Sequence, residues 1–273
     1  MKILQGKTAA ITGAGSGLGR AMALAFAQEG MKLALADVDQ KGLDETVSLL
    51  GNASLLSMKV DVSKEVDVQA FCDRIEKPYL VCNNAGVSPL GAVWENSVGD
   101  WQWILGVNLW GVIHGVRAFA PRLIAQNDGH IVNTASVAGL ISPPGSGAYN
   151  VTKHAVVALS ESLHHDLQER KSAVGVSVLC PAYVPTGISR SERNRPAGLS
   201  SGEKSELTKA KEANLKKAVA SGRLTADDVA KAVVAAVKED RFYILTHPRI
   251  KGAIQARMED ILNERAPRDP LRL

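Results

Sequence analysis

Lys7-Thr-Ala-Ala-Ile-Thr12-Gly13-Ala-Gly-Ser16-Gly17-Leu18-Gly19-Arg20 is the stretch on which the reading of this sequence turns. An apolar run, Ala9 to Ile11, ends at Thr12 in a glycine-rich turn, and Leu18, Met22, Ala25 and Phe26 then recur at helical spacing. Strand, turn and helix follow in that order. Gly13 permits a sharp turn, Gly17 lets the backbone approach a diphosphate, and Gly19 lets helix pack closely on strand. Backbone N–H groups at the new helix N-terminus face an anion there, and the helix dipole favours negative charge. The spacing T-G-x-x-x-G-x-G differs from the common dinucleotide fingerprint G-x-G-x-x-G, and a glycine-rich turn by itself is weak evidence. A second strand, Lys32 to Ala36, strengthens it by ending in Asp37, about where an acid binds a ribose in such folds.

The chain has 273 residues, 45% of them hydrophobic, enough for one sizeable core, and no proline-rich linker or internal repeat divides it. One α/β domain is expected. A net charge of +4, with basic and acidic residues interspersed, argues against nucleic acid as a partner. The three cysteines, Cys72, Cys82 and Cys180, are far apart in apolar segments and read as reduced core residues. The longest apolar stretch, Val107 to Ala125, is broken by Asn108, His114, Arg117 and Pro121 and does not read as a membrane span. With no signal peptide before the first strand, a cytoplasmic protein without a membrane partner is expected. Adjacent His164 and His165 point apart on a helix, and no cysteine cluster completes a metal site.

Further strands are expected at Leu55 to Val60, Leu80 to Cys82, His130 to Thr134, Gly175 to Cys180 and Phe242 to Thr246. After the first of these, Asp61 and Val62 close the strand, and Ser63 is expected to cap a helix carrying Val66, Ala70 and Phe71 inward. Asp61 either accepts from an adenine amino group or serves as a local turn acceptor. Asn83-Asn84-Ala85-Gly86 follows the fourth strand at a carboxyl end, where ligands of open parallel sheets lie. Ser97 and Asp100 form a capping box opening a long helix that is expected to bury Trp101, Leu105, Val112, Val116, Phe119 and Leu123, with Asn108 in the same stripe and Pro121 bending or ending it. A buried amide must be hydrogen-bonded, so Asn108 is expected to bond a neighbouring backbone or a water.

Ser136 lies just beyond the fifth strand, and a helix from about Ala148 carries Tyr149 and Lys153 one turn apart on one face. The stripe continues as Val156, Leu159, Leu163 and Leu167. Residues 187–222 are charged and poor in large apolar residues, helical at best from Gly202 to Ala220; they are expected to supply no core, and to form either a substrate lid or a solvated insertion. Thr225 and Asp228 cap a helix through Val237. A last helix from His247-Pro248 is expected to bury Ile250, Ile254, Met258 and Ile261, followed by a tail from 266 that is loose or packs on a neighbouring subunit.

A tyrosine with an ordinary pKa near 10 needs help to move protons near neutrality. The Lys153 ammonium one turn away favours the Tyr149 phenolate, and Ser136 is placed to hydrogen-bond a reacting oxygen. Taken alone, a Tyr/Lys helical pair is common; beside a dinucleotide cradle and a serine at a strand end it points to hydride and proton transfer.

From Lys7 to Thr186 the chain resembles a classical short-chain dehydrogenase/reductase, with a weaker likeness through Ile261. The cofactor motif from Thr12 to Gly19, Asn83-Asn84-Ala85-Gly86, and Asn108, Ser136, Tyr149 and Lys153 agree with that family in order and spacing. The resemblance implies a Rossmann-type doubly wound parallel sheet of about seven strands with helices on both faces. It implies a catalytic tetrad of Asn108, Ser136, Tyr149 and Lys153, with Lys153 also holding nicotinamide ribose hydroxyls and Asn108 supporting a water relay. Pro181, Val184 and Thr186 are implied on the carboxamide side, and Asp61, Val62, Asn84, Ala85 and Gly86 on the adenosine side. Asp37, with Ser16 in place of an arginine, points to NAD over NADP. Ala182 stands where the family usually has glycine. A homo-oligomer, tetramer or dimer, is implied as well.

The expected activity is NAD(H)-dependent interconversion of a secondary alcohol and a ketone on a small-to-medium, largely apolar substrate. The apolar expectation rests on Leu90, Val93, Trp94, Leu140, Ile141 and Tyr183 flanking the crevice mouth. An NADPH-dependent biosynthetic ketoreductase and a non-catalytic NAD(H) sensor are the alternatives.

Overall fold

The computed structural model describes residues 1–272. Among them, β1 (Thr8–Thr12), β2 (Lys32–Asp37), β3 (Ser54–Lys59), β4 (Pro78–Asn83), β5 (His130–Thr134), β6 (Gly175–Leu179) and β7 (Tyr243–Ile244) form one sheet in the order β3-β2-β1-β4-β5-β6-β7, every pairing parallel. Parallel neighbours need crossovers, and helices supply them on both faces. Alternate strand residues serve the two sides. Ala9, Ile11, Leu33, Leu35, Leu80 and Cys82 join α1 (Gly17–Gln28), α2 (Gln40–Leu50) and α8 (Ala226–Glu239), while Ala10, Ala34, Ala36 and Val81 join α3 (Glu65–Asp73) and α5 (Gly111–Gln126). Phe26, Phe71 and Phe119 are fully buried in these two cores, each worth roughly 2–3 kcal/mol of transfer from water. The strand order reverses between β1 and β4, so the helices leaving those strands diverge and open a crevice at the carboxyl edge.

Several local expectations change. Lys64, not Ser63, precedes α3; Ser63 instead donates its N–H and hydroxyl to Asp61 Oδ1 at 3.1 and 2.7 Å, so Asp61 is a local turn acceptor. That start rotates α3, leaving Val66 and Ala70 outside and burying Val68, Phe71 and Cys72. The capping box of Ser97 and Asp100 opens α4 (Val98–Leu105) as expected. Between α4 and α5, however, residues Gly106–Trp110 form a π-helical turn. The wider turn shifts the stripe, so α4 buries Trp103 and Ile104 while Trp101 and Leu105 are half-buried. Helix α5 runs through exposed Pro121 and ends five residues later, with Asn127 left-handed at its C-cap.

Helix α6 (Gly147–Glu169) buries Val156, Val157, Ser160 and Leu167; Leu159 and Leu163 are half-buried. Thr225 and Asp228 form the capping box of α8. Only Tyr243 and Ile244 of the last expected strand pair with β6. Helix α9 (Ile250–Leu262) buries Ala253, Ala256 and Asp260 and exposes Met258 and Ile261, so its apolar residues do not face the core as expected. Beyond it, Arg268 Nε donates to buried Asp260 at 2.9 Å and Nη2 to the Ala256 carbonyl at 2.9 Å.

Residues 187–222 comprise a 3-10 stretch, Gly187–Asn194, and α7 (Glu206–Ala220). Contrary to the expectation of no core, Val219 is buried and Leu199 packs against the cluster of Val87, Trp103, Ile104 and Ala148. All three cysteines are buried thiols.

Candidate active site

The glycine-rich turn leaves β1 with Gly13 at φ +68°, a left-handed conformation that an L side chain rarely adopts. Gly19 serves close approach: a Cβ there would strike the Gly13 carbonyl oxygen. The turn is braced from neighbouring strands. Asn84 Nδ2 donates to the Thr12 carbonyl at 3.0 Å, the Asn84 N–H donates to Thr12 Oγ1 at 2.9 Å, and Thr134 Oγ1 donates to Asn84 Oδ1 at 3.3 Å. One amide thereby ties the ends of β1, β4 and β5 together.

Asp37 ends β2 facing the crevice, where Oδ2 accepts from the Gly15 N–H at 2.8 Å and Oδ1 from the Asp39 N–H at 2.9 Å. Burial raises its pKa against the effect of those N–H groups. The carboxylate is held beside the turn, where a ribose diol would meet it.

At the other end, Ser136 follows β5, its Oγ donating to the Pro181 carbonyl at 3.3 Å and accepting from the Ala138 N–H at 3.2 Å. Burial pushes the Tyr149 hydroxyl above its ordinary range, and a hydrogen bond with Ser136 opposes that shift. Lys153, 3% exposed, donates Nζ to the Thr134 carbonyl at 2.8 Å and sits 5.6 Å from the centre of the Tyr149 ring. Its burial lowers the ammonium pKa to about 8. Asn108, on the π-helical turn, is fully buried: Oδ1 accepts from the Val87 N–H at 2.8 Å, and Nδ2 donates to the Val87 carbonyl at 2.9 Å and to Thr152 Oγ1 at 3.3 Å. It pins the irregular segment following Gly86. A Cβ on Gly86 would lie 3.5 Å from Asn108 Oδ1 and 3.7 Å from Lys153 Nζ, so the three meet at one point.

Gly13, Ser16, Gly17, Leu18, Asp37, Asp61, Val62, Asn84, Ala85, Gly86, Ser136, Tyr149, Lys153, Pro181, Val184 and Thr186 all line one crevice. Gly19 and Asn108 lie behind it. Of the expected substrate residues, Ser136 and Tyr149 line it and the others do not: Leu90 is buried elsewhere, Trp94 is 85% exposed, Leu140 is half-buried, and Tyr183 is 41% exposed. In their place, Val87, Trp103, Val107 and Leu199, which share one apolar cluster with Tyr149, line it together with Gln102, Ile188, Arg193 and Val219. Trp103 was hidden by the π-helical turn, and Leu199 and Val219 by the polar character of their segment.

That segment is fastened by polar contacts. Arg195 Nη2 donates to Asp100 Oδ1 at 2.6 Å, its guanidinium lies 4.2 Å from the Trp103 ring, and the Gly202 N–H reaches Asp100 Oδ2 at 3.3 Å. Ser191 Oγ accepts from the Ser88 N–H at 3.0 Å. Burial of Asp100 raises its pKa, but hydrogen bonds from Ser97, Gly202 and Arg195 outweigh it and hold the carboxyl below its usual range.

Comparison with known proteins agrees with this geometry. A short-chain dehydrogenase/reductase of Burkholderia phymatum, crystallised in complex with NAD, is 50% identical, covers 99% of both chains and superposes with a TM-score of 0.97. The CLA biosynthesis dehydrogenase/reductase of Lactiplantibacillus plantarum is 34% identical over 279 residues, 98% of this chain and 97% of that protein. The C alpha-dehydrogenase of Sphingobium is 31% identical over 277 residues, 98% of this chain and 89% of that one. With the short chain dehydrogenase family model matching residues 7–197, the chain belongs to the short-chain dehydrogenase family.

Proposed function

We propose that the protein is an NAD(H)-dependent oxidoreductase that interconverts a secondary alcohol and a ketone on a small-to-medium, largely apolar substrate. The observation that carries this is the convergence of Ser136, Tyr149 and Lys153 in one crevice with the glycine-rich turn and Asp37. The residues present fit the cofactor: the turn offers backbone N–H groups at the N-terminus of α1, and Asp37 offers a carboxylate that accepts ribose hydroxyls and repels a 2′-phosphate. The NAD in the Burkholderia phymatum relative supports the same choice.

Bound oxidised nicotinamide would accept the hydride released from the alcohol carbon. Ser136 orients the substrate oxygen, and Tyr149 takes its proton in oxidation or returns one in reduction. The Lys153 ammonium favours the phenolate, and Asn108 holds the chain that packs beside them. Val87, Trp103, Val107 and Leu199 exclude water around Tyr149 and give the apolar preference. Residues 187–222 act as the substrate cover in this reading, closing over the crevice through Leu199 and Val219. The protein is read as cytoplasmic and homo-oligomeric, a tetramer or dimer, consistent with three buried thiols and with no described helix long and apolar enough to cross a membrane.

The test is the initial rate of NAD reduction over a panel of apolar secondary alcohols, for the wild type and Tyr149→Phe. Turnover that collapses in the variant while NADH still binds supports the reading; NADH binding with no turnover of any alcohol or matching ketone favours a sensor.

A further inference from the structure

We propose that Arg193 is the cation that holds the phosphates of the dinucleotide, delivered by the 187–222 segment instead of the sheet; this rests on reading the crevice as a dinucleotide site. Arg193 lines that crevice, and its guanidinium is split between two tasks. Nη1 donates to the carbonyls of Gly187 and Arg190, at 3.1 and 3.0 Å, which fixes the side chain against its own turn. Nη2 is directed across the crevice to Ser16 Oγ, 3.5 Å away. Ser16 precedes α1 and makes no capping bond of its own, and the first turn of α1 holds no acid. Among the described residues no carboxylate pairs with Arg193, whereas Arg20, within α1 itself, already donates to Glu45 and to the Gly15 and Gly42 carbonyls.

The charge layout agrees. The crevice is lined by four ionised groups: Asp37 and Asp61 at the adenosine end, Lys153 beside Tyr149, and Arg193 between them at the glycine-rich turn. A diphosphate carries two negative charges, and the α1 terminus supplies only about half a positive one. Arg193 adds one further positive charge, presented through Nη2. Because it rides on residues 187–194, engaging the phosphates also draws that segment over the crevice.

The test is NADH binding, read by tryptophan fluorescence, for the wild type, Arg193→Gln and Arg193→Lys, with ADP-ribose, adenosine and NADPH as further ligands. Arg193→Gln should weaken NADH and ADP-ribose about tenfold to a hundredfold, flatten the salt dependence of NADH binding and leave adenosine unchanged. Arg193→Lys should recover most of the loss, and the urea midpoint should not move. Unchanged NADH affinity in Arg193→Gln overturns the proposal. So does an equal loss for adenosine, which would make the residue a mere spacer, or a loss confined to NADPH, which would assign it to a 2′-phosphate. A wild type that binds no NADH removes the dinucleotide reading itself and this inference with it.

Discussion

On one side of the crevice, Asn108 and Lys153 bind backbone carbonyls and N–H groups from fully buried positions, and Asn84 ties three strand ends together. On the other, the 187–222 segment is held by part-buried contacts of Arg195, Ser191 and Gly202, while most of its other side chains are exposed. Buried hydrogen bonds have no water to replace them, so the first wall keeps one geometry. A segment with so few buried side chains opens at lower cost than the core elements opposite it. In the proposed function, proton transfer belongs to the first wall and access to the second.

The sharpest break in that contrast is Tyr149→Phe. It keeps the ring in its apolar cluster and removes the hydroxyl, so kcat should fall about a hundredfold to ten-thousandfold while NADH affinity stays put. A variant that retains most of its turnover would move proton transfer to another group. Asn108→Ala should cost about 3 kcal/mol in urea unfolding, because it orphans both Val87 backbone groups. A loss below about 1 kcal/mol would mean the first wall is softer than its hydrogen bonds suggest.

Lys153 adds a pH signature. Its folded pKa of about 8 lies below the ordinary lysine value, so the unfolded chain holds the extra proton between about pH 8 and 10.5. Unfolding then takes up a proton, and stability attributable to Lys153 rises with pH through that window. The three buried thiols, whose pKa values are raised by burial, act in the opposite direction. The difference in stability between wild type and Lys153→Met isolates the lysine and should change by up to about 2–3 kcal/mol from pH 8 to 10. A flat difference would show that Lys153 stays charged. The smallest effect belongs to the second wall. Arg195→Ala should lower stability by about 1 kcal/mol, since Asp100 keeps its bonds from Ser97, while speeding trypsin cleavage within residues 187–222. Unchanged cleavage would show that the segment does not open through this pair.

The same contrast explains what could be read from sequence. Gly13, Asp37, Asn84, Tyr149 and Lys153 are legible because each follows local rules: a left-handed turn, a strand end, two side chains one helical turn apart. The capping boxes at Ser97 and Thr225 are legible for the same reason. Trp103 is not, because the π-helical turn breaks the 3.6-residue period by which a buried stripe is recognised. Val66 misleads because α3 begins at Glu65 and turns that valine outward. Leu199 lies among small and polar neighbours and Val219 close to Lys216 and Lys217, so their packing depends on contacts that no local pattern encodes. Leu90, Trp94, Leu140 and Tyr183 fail as crevice residues because apolar character near a strand end does not fix direction.

The π-helical turn at Gly106–Trp110 also separates two inheritances. After it the helix packs in the sheet's core, through Phe119 and Leu123; before it, Gln102 and Trp103 line the crevice. An added residue absorbed in the turn lets each half of the helix choose its own facing. Residues 101–103 can therefore be exchanged for others, reshaping the crevice, while Phe119 and Leu123 keep their places in the core.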